Sequence, residues 1–221
     1  EKAWRSGLKM RWTLLLAAGV GALQVGPRVV GMSGTKGDEE YANPVTAAAG
    51  RFLPKTAEVD VDWTAAKVAL APRELAERLE AGLREREWFV TGNILAEHFA
   101  DDFEFEDPDV KLTGVRAYAE GVRRLFDPTS RALIYNCSLT EANVLEVVWR
   151  LSGRVNIGPL KLELKPYVVY TDLGFADGLV VSQRDRFAIP SWDILLSALA
   201  PWLRPFLSPP APEPPLRDDD I

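Results

Sequence analysis

Two polar residues, Gln183 and Asp185, stand at alternate positions of a strand pattern whose other members on that face are Leu179, Val181 and Phe187. Alternation turns both toward the core side. A carboxyl taken out of water has its pKa raised, which suits a general base that abstracts a proton next to a carbonyl. His98 falls on the apolar side of a short helical pattern with Ile94, Leu95 and Phe99, while Tyr118, Tyr135, Trp149 and Tyr170 fall on apolar faces and could line the same cavity. In this reading Asp185 is the base, and Tyr135 or His98 donates to the oxyanion that forms. The competing reading pairs Asp185 with Arg154, Arg150 or a backbone donor and makes His98 a satisfied core residue. Arg184 and Arg186 flank the aspartate, and no histidine shares its strand.

Other chemistry is thinner. Glu104, Glu106, Asp107 and Asp109 could together attract a hard cation, but the stretch lacks EF-hand spacing and strand alternation puts Glu104 and Glu106 in water. The expectation is a solvated edge with no metal and no cofactor. Cys137, the single cysteine, excludes an intrachain disulfide and any multi-thiolate metal site, and a single histidine excludes a histidine-rich metal centre. Cys137 reads as core packing. No phosphate-cradling glycine loop or nucleophile elbow occurs. A net charge of −6 argues against nucleic acid, which needs a concentrated basic surface.

The elements that must position these residues follow from period. Pro72 opens an amphipathic helix with Leu75, Ala76, Leu79 and Leu83 on one face, running to about Trp88 or Phe89. A short helix through His98 leads into Phe103-Glu104-Phe105-Glu106, closed by Asp107-Pro108-Asp109. Gly114 opens the cleanest helical pattern, Val115, Tyr118, Ala119, Val122, Leu125 and Phe126, stopped at Asp127-Pro128. The period then changes to two. Leu133, Tyr135, Cys137 and Leu139 share one strand face; Leu145, Val147, Trp149 and Leu151 share the next. Leu160, Leu162, Leu164, Val168 and Tyr170 share a third, where Pro166 marks a bulge or edge. The strand of Gln183 and Asp185 is the fourth.

The ends differ from this centre. Lys2, Arg5, Lys9 and Arg11 precede the apolar run Trp12–Leu23, which is short for a bilayer span and reads as a targeting or membrane-anchor segment over residues 1–32. Residues 33–70 read as a linker or arm, with Trp63 as its partner-docking residue, against the alternative that the arm packs on its own domain. Ser191 opens a helix with Trp192, Ile194, Leu195, Leu196, Leu199 and Trp202, too apolar and tryptophan-rich for full solvation, so residues 191–207 form a second docking element through Trp192 and Trp202. The proline-rich acidic tail, 208–221, is expected to be extended and exposed.

The order of helices, the segment from Leu95 through Phe105, Asp107-Pro108, Gly114 and the Tyr118–Phe126 helix resembles the opening of the nuclear-transport-factor-two-like and SnoaL-like superfamily. Val147-Val148-Trp149-Arg150 and Tyr167–Tyr170 are similar to an algal and plant branch of it. The resemblance covers about 71–190 and implies an α+β cone, a curved antiparallel sheet wrapped around three helices. It implies a pocket where enzymes of the superfamily place a histidine and an aspartate; here that dyad is absent as such. It also implies a plastid setting, at a thylakoid membrane complex, with the mitochondrion second. Three apolar handles outside the centre favour a non-catalytic accessory or scaffold subunit that meets membrane protein complex subunits. The alternative is a small-molecule binder or SnoaL-like isomerase or cyclase that uses Asp185.

Overall fold

The structure is a computed structural model that describes the backbone of Val29–Gly31 and Glu39–Tyr41 together with residues 58–157 and 160–214. Trp12–Leu23 and the acidic end of the tail lie outside the described residues. Two short strands, β1 (Val29–Gly31) and β2 (Glu39–Tyr41), precede helix α1 (Pro72–Arg86) and the single turn α2 (Trp88–Thr91). A 3-10 turn (Ala96–His98) leads into β3 (Phe99–Glu106), β4 (Val110–Thr113) and α3 (Val115–Leu125). Then come β5 (Arg131–Leu139), β6 (Val144–Ile157), β7 (Leu160–Ala176), β8 (Leu179–Phe187), α4 (Ser191–Leu199) and a 3-10 segment, Pro201–Phe206.

The strands form one sheet in the order β1-β2-β4-β3-β8-β7-β6-β5, antiparallel except where β3 runs parallel to β8. Its inner face meets α1, α2 and α3, giving the α+β cone. Leu75, Leu79 and Leu83 of α1 are fully buried there, because residues three and four apart share one helix face. The long helix stops earlier than its apolar pattern: Glu87 takes a left-handed conformation (φ 47°, ψ 43°). Its carboxylate repays that strain by accepting from the Ala132 backbone N–H at 2.8 Å and pairing with Arg131 at 2.5 Å. At Gly114, φ is 100°, a conformation side chains resist, and this lets β4 turn directly into α3.

Three bulges decide which residues point inward. An extra residue on one strand reverses the alternation beyond it. On β5 the extra residue is Tyr135, since Ile134 pairs with Trp149 and Asn136 with Val148. Ala132 and Ile134 are therefore core residues, while Leu133 faces outward and Leu139 is exposed. On β7 the bulge falls at Lys165-Pro166, as Pro166 suggests, between the pairs Leu151–Tyr167 and Gly153–Leu164. Beyond it Tyr167, Val169, Thr171 and Leu173 face inward, and Val168 and Tyr170, expected on that face, do not. On β8 the extra residue is Val181, so Val180 takes the core position.

The arm and tail are both fastened to the domain. Val59, Val61, Trp63 and Leu70 pack against the core, and Leu70 N–H donates to the Gly178 carbonyl at 3.1 Å. The Arg116 guanidinium lies 5.4 Å from the Trp63 ring centre, so the expected docking tryptophan is engaged by its own domain. The tail leaves α4 along the outer face of the sheet. There Arg150 Nε and Tyr135 Oη donate to the carbonyls of Ala211 and Pro212, and Ala211 N–H donates to Pro166. The proline-rich stretch, expected free in solvent, is thus extended but pinned through residue 212.

Candidate functional site

Gln183 and Asp185 point into the cone from β8, next to β7. Thr171, directly across from Asp185 in the ladder, donates its hydroxyl to Asp185 Oδ1 at 2.7 Å, and Gln183 Nε2 donates to the same oxygen at 3.1 Å. Trp149 Nε1 donates to Thr171 Oγ1 at 2.9 Å. A three-membered relay, tryptophan to threonine to aspartate, therefore crosses β6, β7 and β8. The opposite oxygen of the amide, Gln183 Oε1, is buried without a protein donor.

A second carboxylate completes the site. Asp107 closes β3 and accepts the backbone N–H groups of Asp109 and Val110 at 2.7 and 2.6 Å through Oδ1, an arrangement that folds the Asp-Pro-Asp turn. Burial pushes Asp107 up to about 7, against the pull of those two N–H groups, and the negative charges of Asp185 and Asp109 add to the rise. Burial likewise pushes Asp185 up to about 6, with Asp172 adding and the Thr171 and Gln183 hydrogen bonds opposing. The phenols of Tyr118 and Tyr167 are held well above their usual range by burial, with Asp185 and Asp107 contributing. Two carboxyls and two phenols thus lie in one poorly solvated region, and the charge of Asp185 is felt at Asp107.

The pair has the electrostatics of an acid–base site, but the side chains beside it are buried and packed on one another. Trp149, Tyr118, Gln183 and Thr171 expose 3, 2, 1 and 0% of their surface, so water does not reach them. A chain of rings occupies the interior. Phe89 stacks on Trp149 at 4.8 Å, Trp88 meets Phe89 and Phe99, Phe103 meets Phe99, and Tyr118 meets Phe103 and Phe105 at 5.5 and 5.0 Å. Edge and stacked contacts of this kind add about 0.5–1.5 kcal/mol each beyond area burial. Only Asp107 and Asp185 retain partial exposure at the cone mouth. A cavity of about 280 Å³ lined by Thr129, Ser152, Gly153, Arg154, Glu163, Leu164 and Pro166 lies at the other end of the β6–β7 hairpin, away from both aspartates.

Of the residues singled out from the sequence, Asp185, Gln183, Trp149 and Tyr118 come together. His98 does not. It ends the 3-10 turn just before β3, and its Nδ1 lies 3.0 Å from the Val68 carbonyl of the arm; Asp185 is at the far end of the paired strand, where Glu106 of β3 meets Arg184. Tyr135 is carried away by its bulge and bonded to the tail, and Tyr170 is 41% exposed on the outer face. Neither Arg150 nor Arg154 reaches Asp185. Arg150 binds the tail, and the Arg154 backbone is tied to Ser130. Asp107, expected in water with its acidic neighbours, is instead the second carboxylate of the site, while Glu104 is exposed and Glu106 pairs with Lys111 and Arg184. Asp-Pro-Asp was the available signal, since such a turn has its first carboxylate folded back on its own backbone. Thr171 and Tyr167 were hidden by the Pro166 bulge. Among the described residues no cluster of three metal-ligating side chains occurs.

Comparison with known proteins finds no matching family model and no matching curated protein. Solved structures similar to the chain include an uncharacterized cystatin-fold protein from Novosphingobium aromaticivorans (15% identity, 53% of this chain and 99% of that one, TM-score 0.41). Others are an NTF2-like protein of unknown function from Cytophaga hutchinsonii (12% identity, 55% and 93%, TM-score 0.35) and a protein of ketosteroid isomerase-like fold from Catenulispora acidiphila in complex with trimethylamine (16% identity, 56% and 90%, TM-score 0.41). With TM-scores under 0.5 these are similarities only, and the assignment as an α+β cone rests on the strand order and packing described above.

Proposed function

We propose that the protein is a non-catalytic accessory or scaffold subunit of a membrane protein complex, in which the cone is a rigid filled body and the binding surface lies outside it. The observation that carries this reading is the orientation of α4. Asp193, Ser197 and Ala198 face the sheet, whereas Trp192, Leu195, Leu196 and Leu199 face solvent, the reverse of an ordinary surface helix. Such a face is an interaction surface. The plastid and thylakoid setting is carried over from the sequence resemblance to the algal and plant branch, with the mitochondrion as the second setting. Mild detergent extraction followed by native electrophoresis tests the reading: the protein should migrate with a large complex, and a wholly monomeric band would sink it.

A second reading, a small-molecule binder or an isomerase that uses Asp185 as general base, is favoured by the raised Asp107–Asp185 pair. It requires the cone mouth to open. Titration with planar ketone probes, followed by the chemical shifts of Tyr118 and Trp149 side chains, checks it; shifts that disappear in Asp185→Asn would support the reading, and an unperturbed spectrum would exclude it.

A further inference from the structure

We infer that the apolar face formed by α4 and the following 3-10 segment seats on the surface of a lipid bilayer, with uncharged or zwitterionic headgroups. The inference rests on the proposed membrane association and names the partner of that surface. The face comprises Trp192, Leu195, Leu196 and Leu199 at helical spacing, continued by Trp202 and Phe206, which are 72 and 84% exposed. Aromatic residues at both ends of an aliphatic patch suit the boundary between headgroups and acyl chains, where a ring can be half apolar and half wet. The polar half of the helix is already consumed by the protein, since Asp193 and Ser197 are directed at the sheet. The domain itself therefore takes the place of the solvated face of an interfacial helix.

Charge narrows the lipid. Between residues 191 and 212 the sequence has only Asp193 and Arg204 as charged groups, and both are paired within the protein, Asp193 with Lys165 and Arg204 with Glu163. The segment therefore carries no unpaired lysine or arginine to draw an anionic surface. Distance makes the bilayer available. Only five residues separate Leu23, the last of the apolar run, from Val29 at the start of β1, a reach of at most about 20 Å. From β1 to β7, on whose outer side α4 packs, is five strand spacings, about 24 Å. A chain held in a bilayer by residues 12–23 thus keeps α4 within about 45 Å of the same bilayer.

The test uses the full chain with Cys137→Ser and a single environment-sensitive NBD label, either at Phe206→Cys on the face or at Glu77→Cys on α1, on the opposite side of the sheet. Phosphatidylcholine vesicles are added with and without a lipid-phase quencher, and flotation is measured in parallel. The expected result is flotation with a blue shift and at least threefold quenching at position 206, none at 77, and little change when anionic lipid is included. Flotation with an unshifted label at 206 would overturn the bilayer contact while leaving membrane association standing. A shift at 206 that appears only with native membranes containing their proteins would assign the face to a protein partner and also overturn it. Failure to float would remove both readings. The variant Leu196→Ser/Trp202→Ser, whose side chains are already exposed and whose fold can be checked by circular dichroism, should lose the protection that vesicles give to the tail against protease; unchanged protection would count against the contact.

Discussion

Replacing Lys165 with Met is the sharpest perturbation of the architecture, because one buried ammonium organises the whole outer layer. Lys165 and Asp193 expose 3 and 2% of their side chains, and Lys165 Nζ bonds both the Asp193 carboxylate and the Ser208 carbonyl, at 2.7 Å for the latter. Burial alone would raise the Asp193 carboxyl, yet Lys165 and the Ser208 N–H hold it below the usual carboxylate range. Removing the lysine leaves that carboxylate with only the neutral donors of Ser208. Breaking such a pair from one side costs about 3–5 kcal/mol, a large part of the 5–15 kcal/mol of a typical domain. Removing both charges in Lys165→Met/Asp193→Leu leaves only the neutral backbone N–H and C=O of half-buried Ser208 without their partners, a cost of about 1–3 kcal/mol. Urea unfolding at pH 7, with protease sensitivity of residues 191–214 as the local readout, should show the double variant recovering about 2 kcal/mol over the single one. A double variant no more stable than Lys165→Met, or a single variant losing under 1 kcal/mol, would refute the reasoning that this pair fixes α4.

The remaining predictions concern the cone. Asp107 and Asp185 titrate near 7 and 6 in the folded protein, above the unfolded value near 4, so folding takes up protons between about pH 4 and 7 and stability falls as pH rises through that window. Asp185→Asn should therefore leave the urea midpoint at pH 4.5 nearly unchanged and raise stability at pH 8 by up to about 3 kcal/mol; a loss at pH 8 would show that the carboxylate is needed as an acceptor. Gly114→Ala, where a Cβ meets nothing within 4 Å and only the positive φ is violated, should cost about 1–2 kcal/mol in thermal or urea unfolding. Gly153→Ala should cost distinctly more, since φ is +127° there and the new Cβ would lie 2.4 Å from Ser130 Cα; an equal loss at the two glycines would mean the β6 backbone shifts freely.

The sequence made the scaffold legible wherever a period ran unbroken. Leu75 to Leu83, Tyr118 to Phe126 and Leu145 to Leu151 gave α1, α3 and β6 with the right faces inward, because each face is set by local spacing and confirmed by burial. Alternation points to the wrong face wherever a bulge intervenes. Counting through Pro166 turns Tyr170 and Val168 inward, although that proline itself signals the irregularity that reverses the count. His98 and Asp185 both sit on apolar patterns, but pattern says nothing about position along a strand, and the parallel β3–β8 register sets them at opposite ends. Asp107 was hidden for the opposite reason. Glu104 does face water and Glu106 pairs with Lys111 and Arg184, and only the folded turn buries the Asp107 carboxylate where the charge of Asp185 is felt.

The direction of α4 is the most informative feature of the fold. Trp192, Leu195, Leu196 and Leu199 have the spacing that ordinarily marks a core-facing stripe, so pattern alone would turn them toward the sheet. Full burial of such side chains yields about 1.5–3 kcal/mol each, and with each of them roughly half exposed, on the order of 4 kcal/mol remains unrealised in the free domain. The opposite face holds Asp193, which meets Lys165 only in the observed orientation. Inverting the helix would leave Lys165 buried without its counter-charge, at the cost of about 3–5 kcal/mol already assigned to breaking the pair. The two orientations are therefore close in energy for the isolated chain, and the ion pair selects the one that turns the apolar side outward. The unrealised burial is recovered only against a second apolar surface, which makes the Lys165–Asp193 pair a positioning device for the interface rather than a source of stability in its own right.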